Sequence, residues 1–158
     1  MEKSLKLDNI DIRLIEILQN SGETHIKELA QQTKLSLPAI SERLRKLEER
    51  GIIARYAAIV NAKTLGFDVT AFIAVIVDSS IHYREFIKHA DAEPQILECH
   101  ATTGEGTYLL KVRTQNTVTL EQLLSRIQSW RGVQGTRTSI VLSSPKESTQ
   151  VPLDHLRH

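Results

Sequence analysis

The stretch Leu35–Gly51 constrains this chain more than any other. It reads Leu-Ser-Leu-Pro-Ala-Ile-Ser-Glu-Arg-Leu-Arg-Lys-Leu-Glu-Glu-Arg-Gly. Ile40, Leu44 and Leu47 recur at i, i+4 and i+7, which puts them on one face of a helix. Ser36 is a good N-cap, and Pro38 falls in the first turn, where a missing N–H costs little. Gly51 stands where a C′ glycine is expected. Opposite the apolar stripe lie Pro38, Glu42, Arg45 and Glu49, flanked by Ser41, Arg43 and Lys46. One face therefore belongs to a small core, while the other offers guanidinium forks and hydroxyls to a partner outside. That is the layout of a helix that enters a DNA major groove. The plainer reading is the solvated face of a three-helix bundle. Glu42, Glu48 and Glu49 argue for the plainer one, since carboxylates repel phosphates.

The residues upstream supply the rest of such a domain. Leu7–Asn20 reads as a helix capped by Asp8, with Asp11 at N3 and Ile10, Leu14, Ile17 and Leu18 inward. Ser21-Gly22 ends it. A shorter helix is expected over His25–Gln32, capped by Thr24, with Ile26, Leu29 and Ala30 inward. Thr33-Lys34-Leu35 then makes a tight connection. Short helix, tight turn and longer helix with a polar outer face form a helix-turn-helix. Net charge is only +1, so no global basic field advertises a nucleic acid. The first sixty residues nonetheless hold ten basic residues, five of them between Arg43 and Arg55. A local basic face is possible; a basic domain is not.

Ile52–Val60 is β-prone and reads as a strand that serves as hinge, with Arg55 available to a phosphate or simply exposed on an edge. Asn61–Gly66 reads as a turn. From Phe67 the pattern changes. Val69–Val77 is a nearly continuous apolar run, suited to a central strand covered on both faces. A helix from Ser79-Ser80 to Ala90 follows, with Tyr83, Phe86 and Ile87 inward, and Pro94 breaks it. Ile96–Thr103 alternates as a strand, with Leu97, Cys99 and Ala101 on one side and Ile96, Glu98, His100 and Thr102 on the other. Gly104-Glu105-Gly106-Thr107 is a turn, and its two glycines suit positive φ. Tyr108–Arg113 is a strand, Thr119–Trp130 a helix with Leu120, Leu123, Leu124 and Ile127 inward, and Val133–Leu142 a last strand. The order β-α-β-β-α-β is the ferredoxin-like plan, with helices on one sheet face. The other face carries enough apolar residues to expect a partner subunit. A short edge strand around Ser148–Val151 completes the reading. The fold class is thus α+β. A winged-helix-like helix-turn-helix occupies 1–51, a strand and hinge 52–66, and a ferredoxin-like domain suited to oligomerisation 67–158.

Taken together, the two halves resemble the Lrp/AsnC family, the leucine-responsive or feast/famine regulators. The resemblance spans Leu7 to Leu153. It rests on Leu7-Asp8, Asp11, Ile15 and Leu18, on Glu28-Leu29-Ala30, and on Leu35-Ser36, Arg43, Leu47-Glu48 and Gly51-Ile52-Ile53. Leu65-Gly66, Thr103-Gly104 and Tyr108-Leu109-Leu110 extend it. It implies a transcriptional regulator that binds double-stranded DNA through its N-terminal domain and dimerises through its sheet. Dimers then assemble, commonly into octamers, and a small effector, usually an amino acid, binds where dimers meet near the Thr-Gly turn. Carried over by position, the DNA-binding candidates are Ser36, Leu37, Pro38, Ser41, Glu42, Arg43, Arg45, Lys46 and Arg55. Ser41 and Arg45 are suited to base edges. Arg43 and Lys46 suit the phosphate backbone, although Arg43 has an alternative in a salt bridge to a helix carboxylate such as Asp11. The effector candidates are His100, Thr102, Thr103, Gly104, Glu105, Gly106, Thr107, Thr136 and Thr138. Many relatives carry an aspartate where this chain has Thr107, so an effector's ammonium would need another anion, and Glu105 is the nearest. The exposed amides of Gly104–Thr107 are suited to a carboxylate.

Other chemistry is missing from the sequence. It has no phosphate-binding glycine loop and no paired cysteines, so neither a cofactor nor a metal is expected. The six histidines lack ligand spacing except His155 and His158. Cys99 stands alone, which suits a reducing compartment, and neither a signal peptide nor a membrane span is visible, so a cytoplasmic address follows. Two rivals remain: a nucleoid-type architectural DNA-binding protein, and an enzyme like the sirohaem decarboxylases, which resemble the same family. The enzyme needs several His and Arg around a large pocket, for which only His100 and Arg113 are candidates.

Overall fold

The computed structural model describes residues 6–157; His158, one half of the histidine pair noted above, lies outside them. The chain divides into two compact units. One is Val60–Pro145, and the other joins the residues up to Ile59 with those from Lys146 onwards.

In the N-terminal unit, α1 spans Asn9–Asn20. Asp11 donates its N–H to Asp8 Oδ1 at 2.8 Å, and Asp8 donates its own to Asp11 Oδ2 at 3.4 Å, a reciprocal capping box. Helix α2, Ile26–Thr33, starts on His25 without a side-chain cap; Thr24, the expected cap, instead donates its hydroxyl to the Ser21 carbonyl at 2.7 Å. Lys34, at φ 57°, makes the left-handed corner into α3, Leu37–Glu49. Ser36 accepts from the Ala39 N–H there, as expected of an N-cap. At the far end Gly51 N–H bonds the Glu48 carbonyl and Ile52 N–H the Leu47 carbonyl, both at 2.9 Å. That 5→2 and 6→1 pair needs the left-handed φ of 70° that glycine adopts at Gly51. Leu14, Leu29, Ala30 and Ile40 form the core, with Ile10, Ile17, Leu18, Leu35 and Leu44 around it. Two expectations change. Ile26 is exposed rather than inward, and α1 is buried on two sides, because Ile12 and Ile15 are also buried although they point away from the Leu14 stripe.

Ile52–Val60 is not a strand. Ile52 and Ile53 are half-buried in a bend after α3, residues 54–60 are exposed and without regular structure, and no ladder partner runs beside them within their unit. β-branched residues favour a pleated surface only where a second strand supplies the hydrogen bonds.

The second unit is a four-stranded antiparallel sheet in the order β2-β3-β1-β4. β1 is Val69–Val77, β2 Ile96–Ala101, β3 Tyr108–Thr114 and β4 Val133–Ile140. Helices α4, Tyr83–Ala92, and α5, Thr117–Ser129, cross between them. Ala71, Ile73, Val75 and Val77 face Phe86, Ala90, Leu120, Leu123 and Ile127 in one apolar layer. β1 is central, as expected, but the helices cover only one of its faces: Phe72 and Ile76 are exposed on the other. Ile87 is exposed as well, since Phe86 and Ala90 already fill the inward side of α4. A bulge between Ile96 and Glu98 breaks the expected alternation of β2. Its extra residue turns Ile96 to the helix side, where it packs on the core. The expected edge strand around Ser148–Val151 is absent. The tail beyond Pro145 belongs with the N-terminal helices.

Gly132, at φ 85°, ends the turn between α5 and β4 and lies against the His82 ring. A Cβ there would sit 2.4 Å from His82 Nδ1, whose partner is Asp78 Oδ1 at 2.7 Å. Gly132→Ala therefore combines an unfavourable φ with a clash, and should lower unfolding free energy by at least about 2 kcal/mol in urea denaturation. A change below ~0.5 kcal/mol would contradict this geometry.

Candidate nucleic-acid interface and effector turn

Helix α3 presents its polar side as the sequence implies. Ile40 and Leu47 are buried, while Ser36, Leu37, Pro38, Ser41, Glu42, Arg45 and Lys46 are exposed. The Ser41 hydroxyl turns back to the Leu37 carbonyl at 3.1 Å, a bond that a partner can readily replace.

The charges on this side divide into two sets. Arg43 faces α1: its Nη1 lies 2.7 Å from Asp8 Oδ2 and 2.6 Å from Asp11 Oδ1, half-buried between the helices. Burial pushes the Asp8 carboxyl up, but the Asp11 N–H and the Arg43 guanidinium outweigh it and hold it below the ordinary value. Arg43 is thus a brace between α1 and α3, which is the salt-bridge alternative noted from sequence. Arg45 instead makes surface pairs along its own helix, to Glu42 at 2.7 Å and to Glu49, and Lys46 reaches Glu42 at 3.4 Å. Such exposed pairs are individually weak and are exchanged cheaply for other anions. Two of the glutamates that argued against DNA, Glu42 and Glu49, are thus the partners of the outward basic groups. Arg55 lies in the exposed extended segment, next to Tyr56, whose hydroxyl donates to Glu48 Oε1 at 2.9 Å. Burial and that carboxylate push the Tyr56 hydroxyl up to about 12.

The second candidate site is divided by the sheet. Register sets His100 beside Leu109, Leu109 beside Ala74 and Ala74 beside Arg137, so these four form one row across the helix-free face. The 102–107 turn leans over the same face: Glu105 ion-pairs with Arg137, and a Cβ on Gly106 would touch that of Ala74 at 3.3 Å. His100 bonds Glu98 at 3.1 Å. Thr102 donates its hydroxyl to the Gly106 carbonyl at 3.4 Å, and Thr103 is exposed beside it. Thr136 and Thr138 lie elsewhere. They pair with Val75 and Ile73, whose side chains point into the helix layer, and Thr136 accepts from Gln128 of α5 at 2.9 Å.

Three details revise the reading of the turn. Only Gly104 of the two has positive φ, 113°; Gly106 instead lies where a Cβ would crowd β1, 3.3 Å from the Ala74 Cβ and from the Val75 carbonyl. The Thr107 N–H is already bonded to the Val75 carbonyl at 2.8 Å, so it does not join an amide cradle. The Thr107 hydroxyl accepts from Val77 N–H at 3.0 Å and donates to Val77 O at 3.3 Å. It closes the end of the β1 ladder, a use that aspartate cannot copy because it lacks a donor. Arg137 was missed from sequence, since its meeting with Glu105 depends on a strand register that only the folded sheet sets.

The Arg45 hydrogen bond holds the Glu42 carboxylate down to about 2. A depressed folded value means that the pairing contributes above the ordinary carboxylate range and is lost as pH falls through about 2. NMR titration of Glu42 should show that low midpoint, and Arg45→Ala should return it toward the ordinary range. A midpoint near 4.5 in the intact chain would dissolve the pair.

Comparison with known proteins agrees with both halves. A family described as Lrp/AsnC ligand binding domain matches residues 70–151, and one described as winged helix-turn-helix DNA-binding matches residues 7–54. The transcriptional regulator FL11 of Pyrococcus horikoshii is 40% identical over 93% of this chain and 97% of its own length. The regulatory protein AsnC of Escherichia coli is 32% identical over 92% of this chain and 97% of its own. Among solved structures, the Neisseria meningitidis transcriptional regulator NMB0573 in complex with L-Met superposes with a TM-score of 0.91 at 32% identity, covering 96% of this chain and 99% of that one. A helix-turn-helix with an outward basic and hydroxyl side, joined to this particular sheet, places the chain in the Lrp/AsnC family of transcriptional regulators.

Proposed function

We propose that this chain reads specific DNA sequences with α3, and that an amino acid sets its assembly or its DNA affinity. The observation that carries the reading is the division of α3: apolar groups locked inward, and Ser41, Arg45 and Lys46 outward on a rigid helix. Arg45 trades its glutamates for guanine O6 and N7, and Ser41 reaches a neighbouring base edge. The exposed N-terminus of α3, with Ser36, Leu37 and Pro38, approaches a phosphate, and Lys46 and Arg55 neutralise backbone. Arg43 acts from behind as the brace. Dimers formed on the helix-free sheet face, where Phe72 and Ile76 are exposed, place two such helices one helical turn or a multiple apart. Assembly of dimers into octamers, and a cytoplasmic address, belong to the same proposal. The relatives are regulators of transcription, which leaves the decarboxylase reading without support.

For the effector, relatives solved with L-methionine support an amino acid. On this chain the helix-free side of the turn is the suitable surface. Glu105 suits the ammonium and Arg137 the carboxylate, with His100 in the same row. Thr136 and Thr138, on the opposite side, drop out of the set.

Two measurements follow. Arg45→Ala should weaken a duplex selected by the intact chain by about 1–3 kcal/mol and random DNA much less, whereas Lys46→Ala should weaken both alike and reduce the salt slope by about one. Equal losses on both duplexes in Arg45→Ala would reassign it to phosphate. In thermal-shift titrations across the twenty amino acids, at least one should stabilise the intact chain. Arg137→Ala and Glu105→Ala should abolish that stabilisation while DNA affinity without effector is kept. Retention of the shift in both variants would remove the turn from the site, and no shift with any amino acid would remove the effector.

A further inference from the structure

The C-terminal segment returns to the first helix. Gln19, near the end of α1, pairs its side-chain amide with the backbone of Val151 in both directions. Its Oε1 accepts from Val151 N–H at 2.7 Å, and its Nε2 donates to the Val151 carbonyl at 3.2 Å. This is the pattern one strand offers another, supplied here by a glutamine. Gln150 Nε2 donates to the Gln19 carbonyl at 3.1 Å and to Asn20 Oδ1 at 3.0 Å. Arg157 ion-pairs with Glu16, and half-buried Leu153 and Leu156 lie between these anchors. Ile12, Ile15, Glu16 and Gln19 recur at i, i+3, i+4 and i+7, so the anchors share a stripe of α1 with the two buried isoleucines that lie off the Leu14 side.

We propose that Lys146–Arg157 is an intramolecular strap that holds the DNA-reading unit together and gives the chain a second covalent crossing between its two units. The first crossing leaves at Ile59, and the strap returns at Lys146. A unit of fewer than sixty consecutive residues buries little of its surface, so a second segment laid on α1 matters to its stability. α1 in turn carries Asp8 and Asp11, the carboxylates that brace Arg43 of α3. The strap therefore acts on α3 through α1. With both crossings closed, the reading unit has less freedom than a single extended linker would leave it, and half-site spacing is read more strictly.

Amide hydrogen exchange tests the strap without DNA, so its outcome is separate from the DNA-reading proposal on which the spacing argument rests. Two variants are compared with the intact chain: one ending at Pro145, and a full-length Gln19→Ala, Arg157→Ala double variant that serves if the truncated chain fails to fold. The α1 amides should exchange on the order of tenfold faster in both, the scale of losing one net hydrogen bond, with β1 and β3 unchanged as internal controls. Unchanged α1 exchange in the double variant overturns the strap. On selected duplexes respaced by a few base pairs, the strap-free chain should lose discrimination between spacings by several-fold. Equal discrimination with loosened α1 overturns the role of the second crossing.

Discussion

Burial of Ile40 against the first two helices, and of Leu47 further along the same stripe, decides which side of α3 meets the solvent. A helix of thirteen residues has no other means of choosing. Its intrinsic propensity is the same at every rotation, and its surface ion pairs are too weak to hold one. Fixing two apolar side chains turns Ser41, Arg45 and Lys46 outward together. Ser36 at one end and the Gly51 turn at the other fix where that side begins and stops. The Arg43 brace then ties α3 to α1, so the outward side is presented on a supported helix.

Electrostatics follows a similar plan in each of the two units. On α3 the basic groups are neutralised by glutamates one turn away, which keeps that side of the free protein close to neutral. At the 102–107 turn, Glu105 and Arg137 neutralise each other in a comparable way, and the proposed zwitterionic effector would bring both of those charges. Each is thus a set of mutually satisfied, solvent-exposed charges. The Arg43 pairs, more buried and shared between two helices, are the part that stays.

Much of this was legible in the sequence, for identifiable reasons. The α1 capping box, the Ser36 cap, the Gly51 turn and the β-α-β-β-α-β order all follow from local chemistry and periodicity. What was not legible depends on partners far along the chain. Ile52–Val60 has strand-like residues but no neighbour to pair with. Ser148–Val151 has a partner, but it is the side-chain amide of Gln19, which on a helix looks like any solvated residue. The bulge at Ile96 turns one side chain over, and no periodicity count reveals an inserted residue. Thr136 and Thr138 share the helix side of the sheet, away from the Glu105–Arg137 pair, because the register of β4 against β1 is set by the fold. Thr107 looked like a lost ligand until its hydroxyl was seen to close the end of a strand.

The outward side of α3 is the surface proposed to touch DNA. Photocrosslinking tests it most directly, with a benzophenone amino acid placed singly at Ser41, at Gln32 on α2 and at Lys63 in the turn before the sheet. A selected duplex should be captured from Ser41 and from neither of the other two. Capture from Gln32 or Lys63 with Ser41 silent would contradict it.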